Sequence, residues 1–119
     1  MDYNDNNTTI QTLKIAVRKF VEDREWTKYH TPRNLAESIA IEASELLELY
    51  QWGLNGTTED SARAGKVEEE LADVVIYCIG LANVMGIDLV NAILDKMRKN
   101  EEKYPIDKYK GSYSKPVSG

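Results

Sequence analysis

The chain has 119 residues, a formal charge of −5 at neutral pH, 42% hydrophobic residues and 29% charged ones, the proportions of a single folded domain rather than a disordered chain. One cysteine and one histidine exclude an internal disulfide and a zinc site built on two histidines. The acidic balance argues against polymeric DNA or RNA, whose phosphates demand a basic face, yet leaves room for one small polyphosphate carried in with a divalent metal.

The first segment, about Thr8 to Glu25, sets Ile10, Leu13, Val17, Phe20 and Val21 at helical spacing. Thr31-Pro32 opens a second helix, because a threonine hydroxyl can accept a backbone N–H and proline's fixed φ suits a first turn. That helix is expected to run to about Trp52 and stop at Gly53, with a loop from Gly53 to about Thr58. Asp60 or Ser61 opens a third, carrying Val67, Leu71, Val74, Val75, Cys78, Ile79 and Ala82 and ending near Gly86. Asp88 caps a fourth, with Leu89, Ile93 and Met97 on one side, ending before Pro105. No strand signal occurs, so the expected fold is all-α: a four-helix bundle over residues 1–105 with a flexible tail over 106–119. That tail is either a frayed terminus or a flap that closes over a site. No apolar run approaches the ~20 residues of a membrane span, and from the acidic, polar start Met1 to Thr9 no signal peptide is expected. A cytoplasmic location is expected.

Two helices carry acids three residues apart: Glu42 and Glu45 on the second, Glu70 and Asp73 on the third. Side chains at that spacing share a helix face, and each pair lies inside an apolar stretch rather than on an evenly polar one. Facing each other across packed helices, four carboxylates would repel unless a cation sat between them. Oxygen-only ligation suits Mg²⁺ or Mn²⁺. A di-iron bundle is excluded, since it wants Glu-x-x-His on two helices and the one histidine, His30, lies outside both pairs. His30 reads as a structural or capping residue, and Cys78 as a small buried apolar one. Lys96, Asn100 and Lys103 form one stripe on the fourth helix.

The blocks Ile41-Glu42-Ala43-Ser44-Glu45-Leu46-Leu47-Glu48-Leu49-Tyr50-Gln51-Trp52, Glu69-Glu70-Leu71-Ala72-Asp73-Val74, and Lys96-Met97 through Asn100 to Lys103-Tyr104-Pro105 resemble the MazG-like all-α nucleoside triphosphate pyrophosphohydrolases. Trp26 through His30-Thr31-Pro32-Arg33-Asn34-Leu35 is similar to their dCTP pyrophosphatase branch. The resemblance implies that Glu42, Glu45, Glu70 and Asp73 bind Mg²⁺. It further implies hydrolysis between the α and β phosphorus atoms of a nucleoside triphosphate, releasing the monophosphate and pyrophosphate. Glu45 is the expected catalytic base. Lys96, Asn100 and Lys103 would form the phosphate and sugar side, and Trp26, Trp52 and Tyr77 the base side, where an aromatic ring stacks on any base. Val17 departs from the polar residue of that branch, which leaves the base preference open.

Apolar residues on more than one side of the third helix point to a second copy, and the resemblance implies a homodimer or homotetramer. The competing reading from another class is a non-catalytic helical interaction module whose acids are only surface. Hydrolysis of another phosphorylated metabolite, such as a phosphoribosyl compound, is a third.

Overall fold

The computed structural model describes residues 2–52 and 61–112, with side chains throughout except at 61–64. All regular structure among them is helical: α1 (Ile10–Asp23), a 3₁₀ turn (Thr27–Tyr29), α2 (Pro32–Glu48), α3 (Ser61–Met85), α4 (Leu89–Lys103) and α5 (Ile106–Tyr109). The chain divides into two compact units, Met1–Ile87 and Asp88–Gly119. The first holds α1 to α3 and the second α4 and α5.

Caps fix the start of each long helix for which a cap is described. The hydroxyls of Thr9 and Thr31 accept the backbone N–H groups of Thr12 and Asn34, at 3.1 and 3.2 Å. The Asp88 carboxylate accepts that of Asn91 at 3.0 Å, satisfying donors that the helix itself leaves free. At the far end of α1, Glu25 adopts a left-handed φ of 54°. Its N–H donates to Glu22 O and that of Trp26 to Val21 O, both at 3.0 Å. This is the bond pattern of a Schellman close, a position that favours glycine. A side chain there costs roughly 1–2 kcal/mol, so Glu25→Gly is expected to raise stability by about 1 kcal/mol, read as a higher thermal midpoint. The turn brings Trp26 back against Phe20, ring centroids 5.9 Å apart and 71° inclined.

Within the first unit α3 is the central element, packed on both α2 and α1. Asn83 ties α1 to α3 through side-chain polar bonds: its amide donates to Lys14 O at 3.0 Å, and its oxygen accepts from the Arg18 guanidinium at 3.2 Å. The Lys14 ammonium donates to Ile87 O beyond the end of α3. Among the described residues the buried apolar side chains are Leu35, Ile79 and Ala82, at 2, 3 and 2% exposure. Leu71, Val75 and Ile76 of α3 remain 50, 44 and 46% exposed.

Two details differ from the sequence expectation. The second helix ends at Glu48 rather than near Trp52, because the N–H groups of Leu49, Tyr50 and Gln51 return to carbonyls three residues back, which tightens the last turn. A fifth helix makes four too few: Pro105, with φ −58° and ψ 140°, starts a turn over Ile106–Tyr109. The Tyr104 and Tyr109 rings close it edge to face at 5.2 Å, so a short helical turn stands at the start of the 106–119 tail. The loop expected over 53–58 and the end of the tail, 113–119, lie outside the described residues. Among the described residues no single helix is long and apolar enough to cross a membrane.

Candidate active site

Packing of α2 on α3 sets two stripes face to face. Leu35, Ser38, Glu42 and Glu45 follow one another along α2, and Glu70, Asp73, Tyr77 and Gly80 along α3, each at alternating three- and four-residue intervals. At one end of this seam the carboxylates of Glu42, Glu45 and Glu70 converge, one oxygen of each lying within 4.8 Å of the others. Oε2 of Glu42 and Oε2 of Glu70 are buried with no hydrogen-bond partner. Unpaired buried carboxylate oxygens are costly, and a hard cation is the ligand their chemistry fits.

The electrostatics agree. A hydrogen bond with the Glu42 carboxyl, which needs a proton on one of the two, holds the Glu45 pKa above its ordinary 4.5, and the Glu42 charge adds to the effect. Burial is the main cause holding Glu70 above the same value, reinforced by the Glu45 charge. Both shifts disfavour the ionised carboxylates, at Glu45 first through the Glu42 carboxyl and at Glu70 first through burial.

Further along the seam a cavity of about 650 Å³ opens between α1, Trp26, His30 and α3. Its wall is mostly apolar, with Val17, Phe20, Val75, Ile76 and Ile79 among its members. Asp73, Tyr77, His30 and Trp26 are its polar-bearing residues. A mostly apolar wall with a few convergent polar groups is the usual make-up of a small-molecule site.

Of the residues singled out from sequence, Glu42, Glu45 and Glu70 come together. Asp73, half-buried one turn on from Glu70, is not one of that trio and lines the cavity beside Trp26 and Tyr77. Trp52 is not a member of the cavity wall: with φ 70° it turns out beyond the end of α2 and is 92% exposed. Lys96, Asn100 and Lys103 all lie on α4, in the second unit. There Asn100 O accepts the Tyr104 N–H at 2.8 Å, and the Lys103 ammonium stands 5.7 Å from the Tyr104 ring centre. His30, expected only as a structural or capping residue, borders the large cavity and two smaller ones of about 180 and 320 Å³. Capping of α2 falls to Thr31 instead. Its position between a 3₁₀ turn and a helix gives His30 no periodic signal, and only the fold shows where it points.

The MazG-like family model matches residues 37–115, a span holding both acidic pairs and the α4 stripe. The chain belongs to the MazG-like family. It is similar to a pyrophosphatase of known crystal structure from Archaeoglobus fulgidus, at a TM-score of 0.72 and 43% identity, covering 87% of this chain and 99% of that one. It is 34% identical over 113 residues to dCTP pyrophosphatase 1 of Mus musculus, 90% of this chain and 65% of that protein. To dCTP pyrophosphatase 1 of Homo sapiens it is 35% identical over 101 residues, 82% of this chain and 59% of that protein. The MazG-like chain thus spans about two-thirds or less of the length of these curated relatives.

Proposed function

We propose that this chain hydrolyses nucleoside triphosphates, with a dCTP-like substrate, between the α and β phosphorus atoms, giving the monophosphate and pyrophosphate. The observation that carries the reading is the meeting of Glu42, Glu45 and Glu70 on the seam that also opens into a cavity of about 650 Å³. Family membership and the names of the similar proteins support it.

Glu42, Glu45, Glu70 and Asp73 would hold Mg²⁺ or Mn²⁺. Such an ion, when bound, offsets the triphosphate charge and lowers the pKa of a coordinated water. Glu45 is the most exposed of the trio, the other two being half-buried. Its carboxylate is therefore the one open to approaching water and the choice for accepting a proton at Oε. Trp26 and Tyr77, in the cavity wall, would hold the base by stacking and an O–H donor. Trp52, facing solvent, offers a second stacking surface. Lys96, Asn100 and Lys103 would donate to phosphate and sugar oxygens, the two ammonium groups through charge-assisted bonds. The single free thiol, Cys78, suits a reducing, cytoplasmic setting. The half-exposed Leu71, Val75 and Ile76 support a homodimer or homotetramer as the working form.

The test is pyrophosphate release from a panel of canonical deoxynucleoside and ribonucleoside triphosphates, with Mg²⁺, Mn²⁺ or chelator. Release from a pyrimidine deoxynucleotide with either metal, and none in chelator, is the expected result. A protein that leaves every triphosphate intact with both metals overturns the proposal in favour of a non-catalytic helical module.

A further inference from the structure

We propose that Gly80 sets the depth of the cavity and thereby the size of the nucleobase it admits, an inference that rests on the nucleotide reading above. Gly80 lies well inside the 25-residue α3, where a glycine weakens a helix relative to alanine. Backbone geometry gives no reason for it, since the chain's left-handed glycines among the described residues are Gly86 and Gly111. Packing gives none either. A Cβ built on Gly80 would meet only Leu35 Cδ2, at 3.7 Å, an ordinary van der Waals contact. The residue is nonetheless buried, and what it borders is empty space: the cavity of about 650 Å³ and the adjoining one of about 180 Å³. Val17, Val21 and His30 border both as well, so position 80 lies where the two spaces adjoin, and a methyl group there would stand beside Leu35, in the wall of the larger one.

The position along α3 gives this notch its meaning. Glu70, Asp73, Tyr77 and Gly80 lie on one face, and Gly80 is ten residues, about 15 Å of helix rise, beyond Glu70. A triphosphate anchored at the carboxylates and running along this face directs its base past Tyr77 toward Gly80. The end of the base farthest from the sugar then meets the notch. Occupancy of that space by a methyl removes room for ring atoms or a ring substituent, and a single methylene-sized change in an apolar pocket alters recognition by about tenfold or more.

The experiment compares Gly80→Ala with Gly65→Ala, whose Cβ meets nothing within 4 Å and which borders none of these cavities. Both variants are expected to melt a few degrees above the parent protein, as alanine replaces glycine in a helix. Gly80→Ala alone is expected to raise KM for dCTP about tenfold, and to disfavour dTTP against dUTP, whose bases differ by one methyl. A lower melting point for Gly80→Ala overturns the proposal, because the glycine is then a packing requirement. Equal KM values for the two variants overturn it as well. If the parent protein hydrolyses no triphosphate, the nucleotide reading fails separately. The cavity claim is then read from titration with the apolar dye 1-anilinonaphthalene-8-sulfonate: weaker binding to Gly80→Ala than to Gly65→Ala upholds a depth-setting role, and equal binding ends it.

Discussion

Glu45→Gln is expected to lower kcat for pyrophosphate release by about 10³-fold, the middle of the range for removing a positioned general base, while raising the thermal midpoint of the metal-free protein at neutral pH. The two effects have one cause. In the absence of a cation, Glu42, Glu45 and Glu70 crowd one carboxyl oxygen of each within 4.8 Å of the others. The Glu42 carboxyl, by hydrogen bond and charge, and burial at Glu70, hold the Glu45 and Glu70 pKa values above 4.5. The folded protein therefore keeps protons that the unfolded chain releases. Stability tied to those protons is fully present below about pH 4.5 and is lost as pH rises through the raised folded values. Glutamine removes one of the repelling charges, so the variant should lose less stability over that rise. Saturating Mg²⁺ should flatten the same decline in the parent protein by filling the site. Melting curves from about pH 4 to 8, in chelator and in Mg²⁺, together with steady-state kinetics, check both parts. A variant that keeps kcat within a few-fold of the parent removes Glu45 from the chemistry. A metal-free stability that does not fall between those pH limits removes the carboxylate repulsion.

The largest effect on stability is expected from Leu35→Ala, a loss of about 3 kcal/mol with a thermal midpoint lower by roughly 10 °C. Leu35 is 2% exposed and is the one large side chain fully buried among the described residues. It occupies the first turns of α2 and reaches α3 opposite Gly80, so its removal leaves a void at the contact that positions the seam. Leu47→Ala, on the same helix but 71% exposed, is the matched control and should change the midpoint little. Chemical denaturation of the two variants measures the difference. A Leu35→Ala protein as stable as Leu47→Ala would show that the fold does not depend on this contact.

Helix starts were legible because their chemistry is local. Thr31 before Pro32, and Asp88 before Leu89, each place an oxygen within reach of an N–H three residues on, and the structure uses both. Helix ends were less legible. Nothing in Leu49-Tyr50-Gln51 distinguishes an α turn from the tighter one that closes α2, since the choice lies in which carbonyl each N–H takes. The α5 turn is illegible for a related reason: Ile106–Tyr109 has too little apolar content to show a period, and its closing contact is between two rings, Tyr104 and Tyr109. At the site, the three-residue spacing of Glu42 with Glu45 and of Glu70 with Asp73 put each pair on one face. The register of α2 against α3 then divided them, grouping three oxygens and leaving Asp73 to the cavity. For Trp26 and Trp52, residue type was the same and the outcome opposite. A left-handed Glu25 folds the first back onto Phe20, whereas a left-handed φ at Trp52 itself turns the second into solvent.

The sequence by itself determined the helical class, most helix boundaries and the two acidic faces, because periodicity and capping act over a few residues and are written in their order. Tertiary structure alone decided which acids share a centre, that His30 lines a cavity, and that Gly80 meets Leu35 at the edge of two cavities. Those outcomes depend on how far one helix slides and turns against another, a quantity set by the sum of many weak contacts across the seam and encoded at no single position.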